Sequence, residues 1–390
     1  MATVQGHCDP EFQEVRDLFQ QFLDSGEDLG AAVAVNIDGR NVIDLWGGYV
    51  DEQKAKPWER DTIVNVYSTT KTVTSLAMLR LVDIGLVNVT DKVSQHWPEF
   101  AANGKEDIEI RHLLSHSSGL SGWTEKMTPE DVCNLELGKA RLAAQAPLWT
   151  PGTASGYHGY TFGHVPSEII KRKTGLGLKE FLAREIAGPL GADFQIGALE
   201  KDWPRIATLT QPPPFPAPSS PPDPIAASFF LNPPVVPEAV VFASSPTWRN
   251  AEIGASNGHG NARGLVRLFT EVVLAEKGEA NHVVSKKTAD LVLDEQVRGN
   301  DLVLGGPFRF GIGFALVGDG FGYLDTGLPR GRLATWNGYG GSSMIMDFDR
   351  HLTFAYTMNK MKIESPHTGV VRAYLAAIYK ALGVEIPTQG

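Results

Sequence analysis

The chain has 390 residues, more than the roughly 250–300 at which one hydrophobic core stops growing, so one very large domain or two unequal ones is expected. Hydrophobic residues make up 42% and charged residues 21%, a globular balance that argues against disorder. A formal net charge of −10, with 35 Lys and Arg against 45 Asp and Glu and no basic run, excludes a nucleic-acid-binding surface, which rests on clustered cations.

Residues 10–24 place Phe12, Val15, Leu18, Phe19, Phe22 and Leu23 at helical spacing. Ala31–Ile37 and Asn41–Trp46 flank Asp38-Gly39, a β-hairpin signal because both central turn positions favour φ > 0. Asn65–Lys71 opens a helical pattern through Val73, Leu76, Ala77, Leu81 and Ile84, stopped by Gly85. From about 72 to 200 the chain reads as mostly helical. Residues 212–237 then hold eleven prolines in twenty-six positions, which excludes a helix or a central strand there and leaves an ordered loop over a site or an inter-domain spacer. Beyond it, Leu265, Val266, Leu268, Phe269, Val272 and Val273 mark a helix. Ser343–Phe348 and Leu352–Met358 flank an Asp349-Arg350 turn, and a last helix carries Val370, Val371, Tyr374, Leu375, Ile378, Tyr379 and Leu382, ending at Gly383. The expected class is α/β (α+β): an antiparallel sheet flanked by helices, built from 1–71 and 250–390, with a mostly helical domain of 72–249 inserted.

Cys8 and Cys133 read as reduced thiols, and no Cys/His spacing suggests zinc. Met1 to His7 hold neither a basic n-region nor an apolar stretch, and no run approaches the roughly 20 apolar residues of a spanning helix. As given, the chain reads as cytoplasmic, without membrane insertion.

Ser68 and Lys71 lie three apart, which puts both side chains on one face of a first helical turn. A serine hydroxyl attacks well only when a neighbour takes its proton, and a lysine does so only when partly neutral. The positive end of the helix dipole disfavours the ammonium and favours an oxyanion nearby. Ser-x-x-Lys alone is a weak signal, equally served by a capping serine and an exposed lysine. It does not stand alone. Arg111–Leu120 (RHLLSHSSGL), Pro151–Tyr160 (PGTASGYHGY), Ser256–Arg263 (SNGHGNAR) and Trp336–Ser342 (WNGYGGS) follow in order.

With Ser68-Thr69-Thr70-Lys71, these strings make the chain resemble the serine β-lactamase and penicillin-binding-protein superfamily, most closely the class C-like family VIII carboxylesterases, from about residue 28 to the C-terminus. The resemblance implies a β-lactamase/transpeptidase-like fold and a serine carboxylesterase hydrolysing short-chain acyl esters without metal or cofactor, with a small-molecule ester as its partner. It assigns Ser68 as the acylated nucleophile, Lys71 as its activating partner and Tyr157 as the phenol that moves protons. The backbone N–H groups of Ser68 and Tyr339 become the oxyanion hole. Trp336, Asn337 and Gly338 occupy the substrate-binding place of the lactamase Lys-Thr-Gly, and His158 either replaces the side-chain amide that orients substrate or points away. A tyrosine becomes a useful base only beside a cation, which Lys71 would supply. An indole in place of a lysine removes the charge that grips a carboxylated substrate, which favours neutral esters over β-lactams. Alternatives on the same site are a β-lactamase, a D-aminopeptidase-like amidase or an acyltransferase; outside catalysis, it is a lactamase-like binding protein.

Two rival motifs are present. Gly254-Ala255-Ser256-Asn257-Gly258 fits the Gly-x-Ser-x-Gly nucleophile elbow, which needs a strand just before it and an acid and a histidine downstream; His259, His282, His351 and His367 are available. The apolar run Val240–Ala243 is too far upstream, so a glycine-rich loop capping a helix is the expectation. His112 and His116 stand at i, i+4 but lack the Glu of a zincin and a third ligand, so a structural pair is expected. Phe215, Phe229 and Phe230 of the Pro-rich segment are candidates to wall the substrate pocket, or else part of a surface loop. Oligomeric state is unreadable.

Overall fold

The computed structural model describes residues 3–214, 221–235, 239–278, 283–363 and 369–387. After β1 (Gln5–Cys8), the two apolar runs around Asp38-Gly39 pair as β2 (Gly30–Ile37) and β3 (Arg40–Gly48). Asp38 (φ 52°) and Gly39 (φ 86°) are both left-handed, the turn that matches the twist of a hairpin. Near the other end, β7 (Val297–Asn300), β8 (Pro307–Phe310), β9 (Ala315–Val317), β10 (Leu333–Asn337), β11 (Ser343–Asp347) and β12 (Leu352–Met358) follow as antiparallel neighbours. The turn between β11 and β12 is wider than expected from Asp349-Arg350: it spans residues 348–351, with His351 at φ 47°.

The sheet closes across the chain's two ends, because β12 pairs with β2 from Leu352↔Ile37 to Met358↔Ala31. The order is β1-β3-β2-β12-β11-β10-β9-β8-β7, antiparallel throughout. Alternation along β12 covers both faces. Tyr356 meets Tyr374 of the Gly369–Ala381 helix, which packs against Phe19 and Phe22 of the Gln13–Ser25 helix. Thr353, on the opposite face, bonds Thr270 of the Ala262–Leu274 helix at 2.7 Å.

The region between the sheet's two contributions is mainly helical, with three short strands: β5 (Phe194–Ile196) pairs with β6 (Gly258–Gly260), which also pairs with β4 (Val64–Asn65). This three-stranded sheet ties the inserted segment to the chain just before Ser68. The Thr70–Asp83 helix follows, with Thr70 through Leu79 all buried; a helix enclosed on every side belongs in the interior. Part of the Pro-rich segment departs from expectation, since Pro224–Phe230 is a helix. Pro224 sits in the first turn, where a missing N–H costs nothing, Asp223 caps it, and Ile225–Phe230 contain no proline. Cys8 and Cys133 are free thiols. Among the described residues no helix is long and apolar enough to cross a membrane.

Candidate active site

Ser68 lies on the short 3₁₀ turn Tyr67–Thr69 that leads into the Thr70–Asp83 helix. Tyr67 before it has φ 42°, a left-handed conformation costly for a bulky side chain. The surroundings hold it there: Tyr67 is buried, edge-on to Tyr339 at 5.4 Å and tilted against Trp248 at 6.2 Å. Strain of this kind aims the next residue, and Ser68 opens into a cavity.

One helical turn on, Lys71 is 1% exposed. Its Nζ donates to Ser68 Oγ at 3.1 Å and to the Ala255 carbonyl at 2.9 Å, and stands 4.8 Å from the centre of the Tyr157 ring. No carboxylate pairs with it among the described residues, and burial pulls its pKa well below the ordinary lysine value, towards the neutral amine. Tyr157 arrives from the Pro151–Tyr160 string and donates its hydroxyl to Ser68 Oγ at 2.6 Å. Burial pushes this phenol above its ordinary pKa, against the lowering pull of the Ser68 hydroxyl and the Trp336 indole. The electrostatics therefore run opposite to the expectation that Lys71 would be the cation that makes Tyr157 a base. Burial thus favours the neutral form of both groups, the free amine of Lys71 and the protonated phenol of Tyr157.

The end of β10 is stapled to the Ser68 turn. Ser342 Oγ donates to the Val66 carbonyl at 2.8 Å and pairs with Thr69 Oγ1 at 2.9 Å. Gly338 sits so close that a Cβ there would lie 2.1 Å from the Val66 carbonyl oxygen and 2.2 Å from Ser342 Oγ. Gly338→Ala is therefore expected to cost about 1–3 kcal/mol by overpacking, read as a lower urea midpoint, and to lower esterase kcat as Tyr339 moves away from Ser68. A midpoint and kcat both equal to wild type would show that the turn gives way freely.

Trp336, on the same strand, is 7% exposed and lies against Tyr157 with ring centres 5.1 Å apart. Asn337 is half-buried in the cavity wall, and its Nδ2 has no hydrogen-bond partner among the described residues. His158 is not brought to the cavity. Its Nε2 pairs with Ser118 Oγ at 2.7 Å and its Nδ1 with the Gly156 carbonyl at 2.6 Å, so both ring nitrogens are committed to the protein and no orienting group is left for substrate. Burial drops its pKa to about 3, so it stays neutral. Gly159 lines the cavity instead.

Two residues unassigned from the sequence position the tyrosine. Asp301, 1% exposed, accepts from the Tyr157 backbone N–H at 3.0 Å. His116 takes the His158 N–H on its Nδ1 at 3.0 Å and packs its ring 5.0 Å from Tyr157. The Arg111–Leu120 string carried a signal for His116, whereas Asp301 is 144 residues from Tyr157 and nothing local marks it. The two imidazoles of the His112/His116 pair separate: His112 Nδ1 caps the Glu109 N–H, while His116, at φ 58°, turns into the aromatic cluster. Ser256 does line the cavity, but it follows a turn rather than a strand, and His259 bonds the Asn257 carbonyl instead of a serine. His351 pairs with Asp38 at the hairpin turns; His282 and His367 lie outside the described residues.

A model of the β-lactamase family matches residues 15–377. The chain belongs to the β-lactamase family. It is similar to Esterase/beta-lactamase LipL of Mycobacterium tuberculosis, with 29% identity over 399 residues, 95% of this chain and 87% of that protein. Among solved structures, a family VIII carboxylesterase superposes with a TM-score of 0.88 at 31% identity, covering 97% of this chain and 99% of that one. A penicillin-binding protein homologue from Caulobacter crescentus also gives 0.88, at 32% identity, over 97% of this chain and 99% of its own. The β-lactamase/transpeptidase-like fold expected from the resemblance is the one found.

Ser68 opens into a walled cavity. The cavity measures about 660 Å³, within the range of sites for drug-sized molecules. Tyr160, Phe229, Phe230, Phe308, Tyr323 and Trp336 give it an aromatic lining. The Pro-rich segment thus contributes Phe229 and Phe230, while Phe215 lies outside the described residues. Among the described residues the one charged side chain in the wall is Lys362, and it is already paired with Glu27 at 3.0 Å and Asp28 at 3.2 Å.

Proposed function

We propose that the chain is a serine carboxylesterase acting through an acyl-enzyme on Ser68, with Lys71 and Tyr157 as its proton carriers. One observation carries the reading: Ser68 Oγ lies within hydrogen-bond reach of a buried, uncompensated lysine at 3.1 Å and of a buried phenol at 2.6 Å. The neutral Lys71 amine takes the Ser68 proton as Oγ attacks the ester carbonyl. The Ser68 and Tyr339 backbone N–H groups face the oxyanion, and the alcohol departs with the Tyr157 proton, which Lys71 replaces. Water then reverses the relay. Labelling with a fluorophosphonate followed by peptide mapping tests this: a tag on Ser68 supports it, and a tag on Ser256 or none overturns it.

The wall indicates which esters suit the site. A short acyl group beside Ser68 fills a small part of about 660 Å³, leaving aromatic surface for an apolar alcohol. With one acid held constant, kcat/KM is expected to rise about 3- to 4-fold per added buried CH₂ in the alcohol, since each contributes about 0.8 kcal/mol. A flat series from ethyl to hexyl would refute this. The same wall disfavours β-lactams, because Trp336 offers no charge and Lys362 is neutralised by Glu27 and Asp28.

A further inference from the structure

Ser256 stands in the cavity wall that also holds Ser68, and the acylation chemistry gives it no task. Its segment is pinned from several sides. Asn65 Nδ2 donates to the Ser256 and Gly258 carbonyls at 2.9 and 3.0 Å, Thr74 Oγ1 to the Gly254 carbonyl at 2.6 Å, and the Gly258 N–H to Thr70 Oγ1 at 2.8 Å. Lys71 Nζ adds its bond to the Ala255 carbonyl at 2.9 Å. The Ser256 N–H donates to the Ile253 carbonyl at 2.9 Å, so its main chain is fully used. Only the hydroxyl is left over. The residue is 3% exposed, and Oγ has no hydrogen-bond partner among the described residues. A buried hydroxyl facing a cavity takes its hydrogen bond from whatever fills that cavity.

We propose that Ser256 is a positioning residue whose Oγ holds the water that hydrolyses the Ser68 acyl-enzyme. This rests on the acyl-enzyme reading above. Ser256 follows the residue whose carbonyl binds Lys71 Nζ and lines the same cavity as Ser68, and the proposal puts the water between its hydroxyl and that amine. The water oxygen attacks the acyl carbon and its proton passes to Lys71. The tetrahedral intermediate then collapses with cleavage of the C–Oγ bond of Ser68. Ser68 recovers a proton from the Lys71–Tyr157 pair, and the carboxylic acid leaves. Ser256 forms no covalent bond; it fixes the position and orientation of the water, which the aromatic wall cannot do.

A p-nitrophenyl ester separates the two half-reactions, because its leaving group departs without protonation. In Ser256→Ala, kcat is expected to fall about 10-fold with KM falling by the same factor, leaving kcat/KM unchanged, as slowed deacylation alone requires. Acid quenching should then trap more acyl adduct on Ser68, and Ser256→Thr, which keeps the hydroxyl, should restore kcat. Fluorophosphonate labelling of Ser68 at the wild-type rate serves as the control for an intact site. An unchanged kcat, or a raised KM with a lower kcat/KM, overturns the proposal; the second would make Ser256 a substrate contact. Absence of any adduct on Ser68 in both proteins is a separate result that overturns the acyl-enzyme reading, and this proposal with it.

Discussion

Ser68→Ala is expected to lower esterase kcat by at least about 10⁴-fold and to abolish fluorophosphonate labelling, while thermal unfolding stays within a few degrees of wild type. The size follows from Ser68 Oγ being the hydroxyl in the cavity that both the Lys71 amine and the Tyr157 phenol reach. Without Oγ, water must attack the bound ester directly, assisted only by the oxyanion donors and by substrate positioning. The small effect on stability follows from what Oγ contributes to the fold. It accepts from Lys71 and Tyr157 at the edge of a cavity, where water replaces a lost acceptor. Lys71 keeps its bond to the Ala255 carbonyl, and Tyr157 keeps its ring contacts with Trp336 and His116. Retained turnover in this variant would move the chemistry to another residue, with Ser256 the first to examine because it shares the cavity.

The sequence disclosed these parts unequally, for physical reasons. Hairpins and amphipathic helices are local: Asp38-Gly39 dictates its turn whatever surrounds it, and the order of the Ser68, Tyr157 and Trp336 strings pointed to the family. What stayed hidden depends on contacts between distant residues. Asp301 holds the Tyr157 backbone from 144 positions away, and the strain at Tyr67 exists only because Tyr339 and Trp248 enclose it. For His158 the sequence left open an orienting group or a ring pointing away, and only the fold shows the ring claimed by Ser118 and by a carbonyl of its own segment. Proline content alone misjudged Pro224–Phe230, since a proline in a first helical turn is compatible with the turns that follow. The protonation pattern was equally out of reach, because burial sets it and neighbouring letters do not report burial.

That pattern yields the second large effect. Lys71→Met, which keeps the side chain's length and removes its amine, is expected to lower kcat/KM by about 10²–10⁴-fold and to change its pH dependence. Burial without a carboxylate lowers the Lys71 pKa, so the competent neutral amine forms below the ordinary lysine value of 10.5. Wild-type kcat/KM should rise with pH through that lowered pKa and then level off. The plateau should persist past 10, the ordinary tyrosine value, because burial keeps Tyr157 protonated. Lys71→Met should lose this rising limb and leave a flat profile over the same range. A limb that survives the substitution would place the titrating base elsewhere. Stability should move the other way. Between the lowered pKa and 10.5 the unfolded chain binds a proton at Lys71 that the native state does not, so wild-type stability rises with pH across that window and is lost as pH falls. Methionine carries no such cost, so Lys71→Met should melt higher than wild type at neutral pH, with the gap closing as pH approaches 10.5. A variant that is both inactive and less stable would show the lysine to be structural; one that is inactive and more stable would show a fold that gives up stability to hold a neutral amine against Ser68.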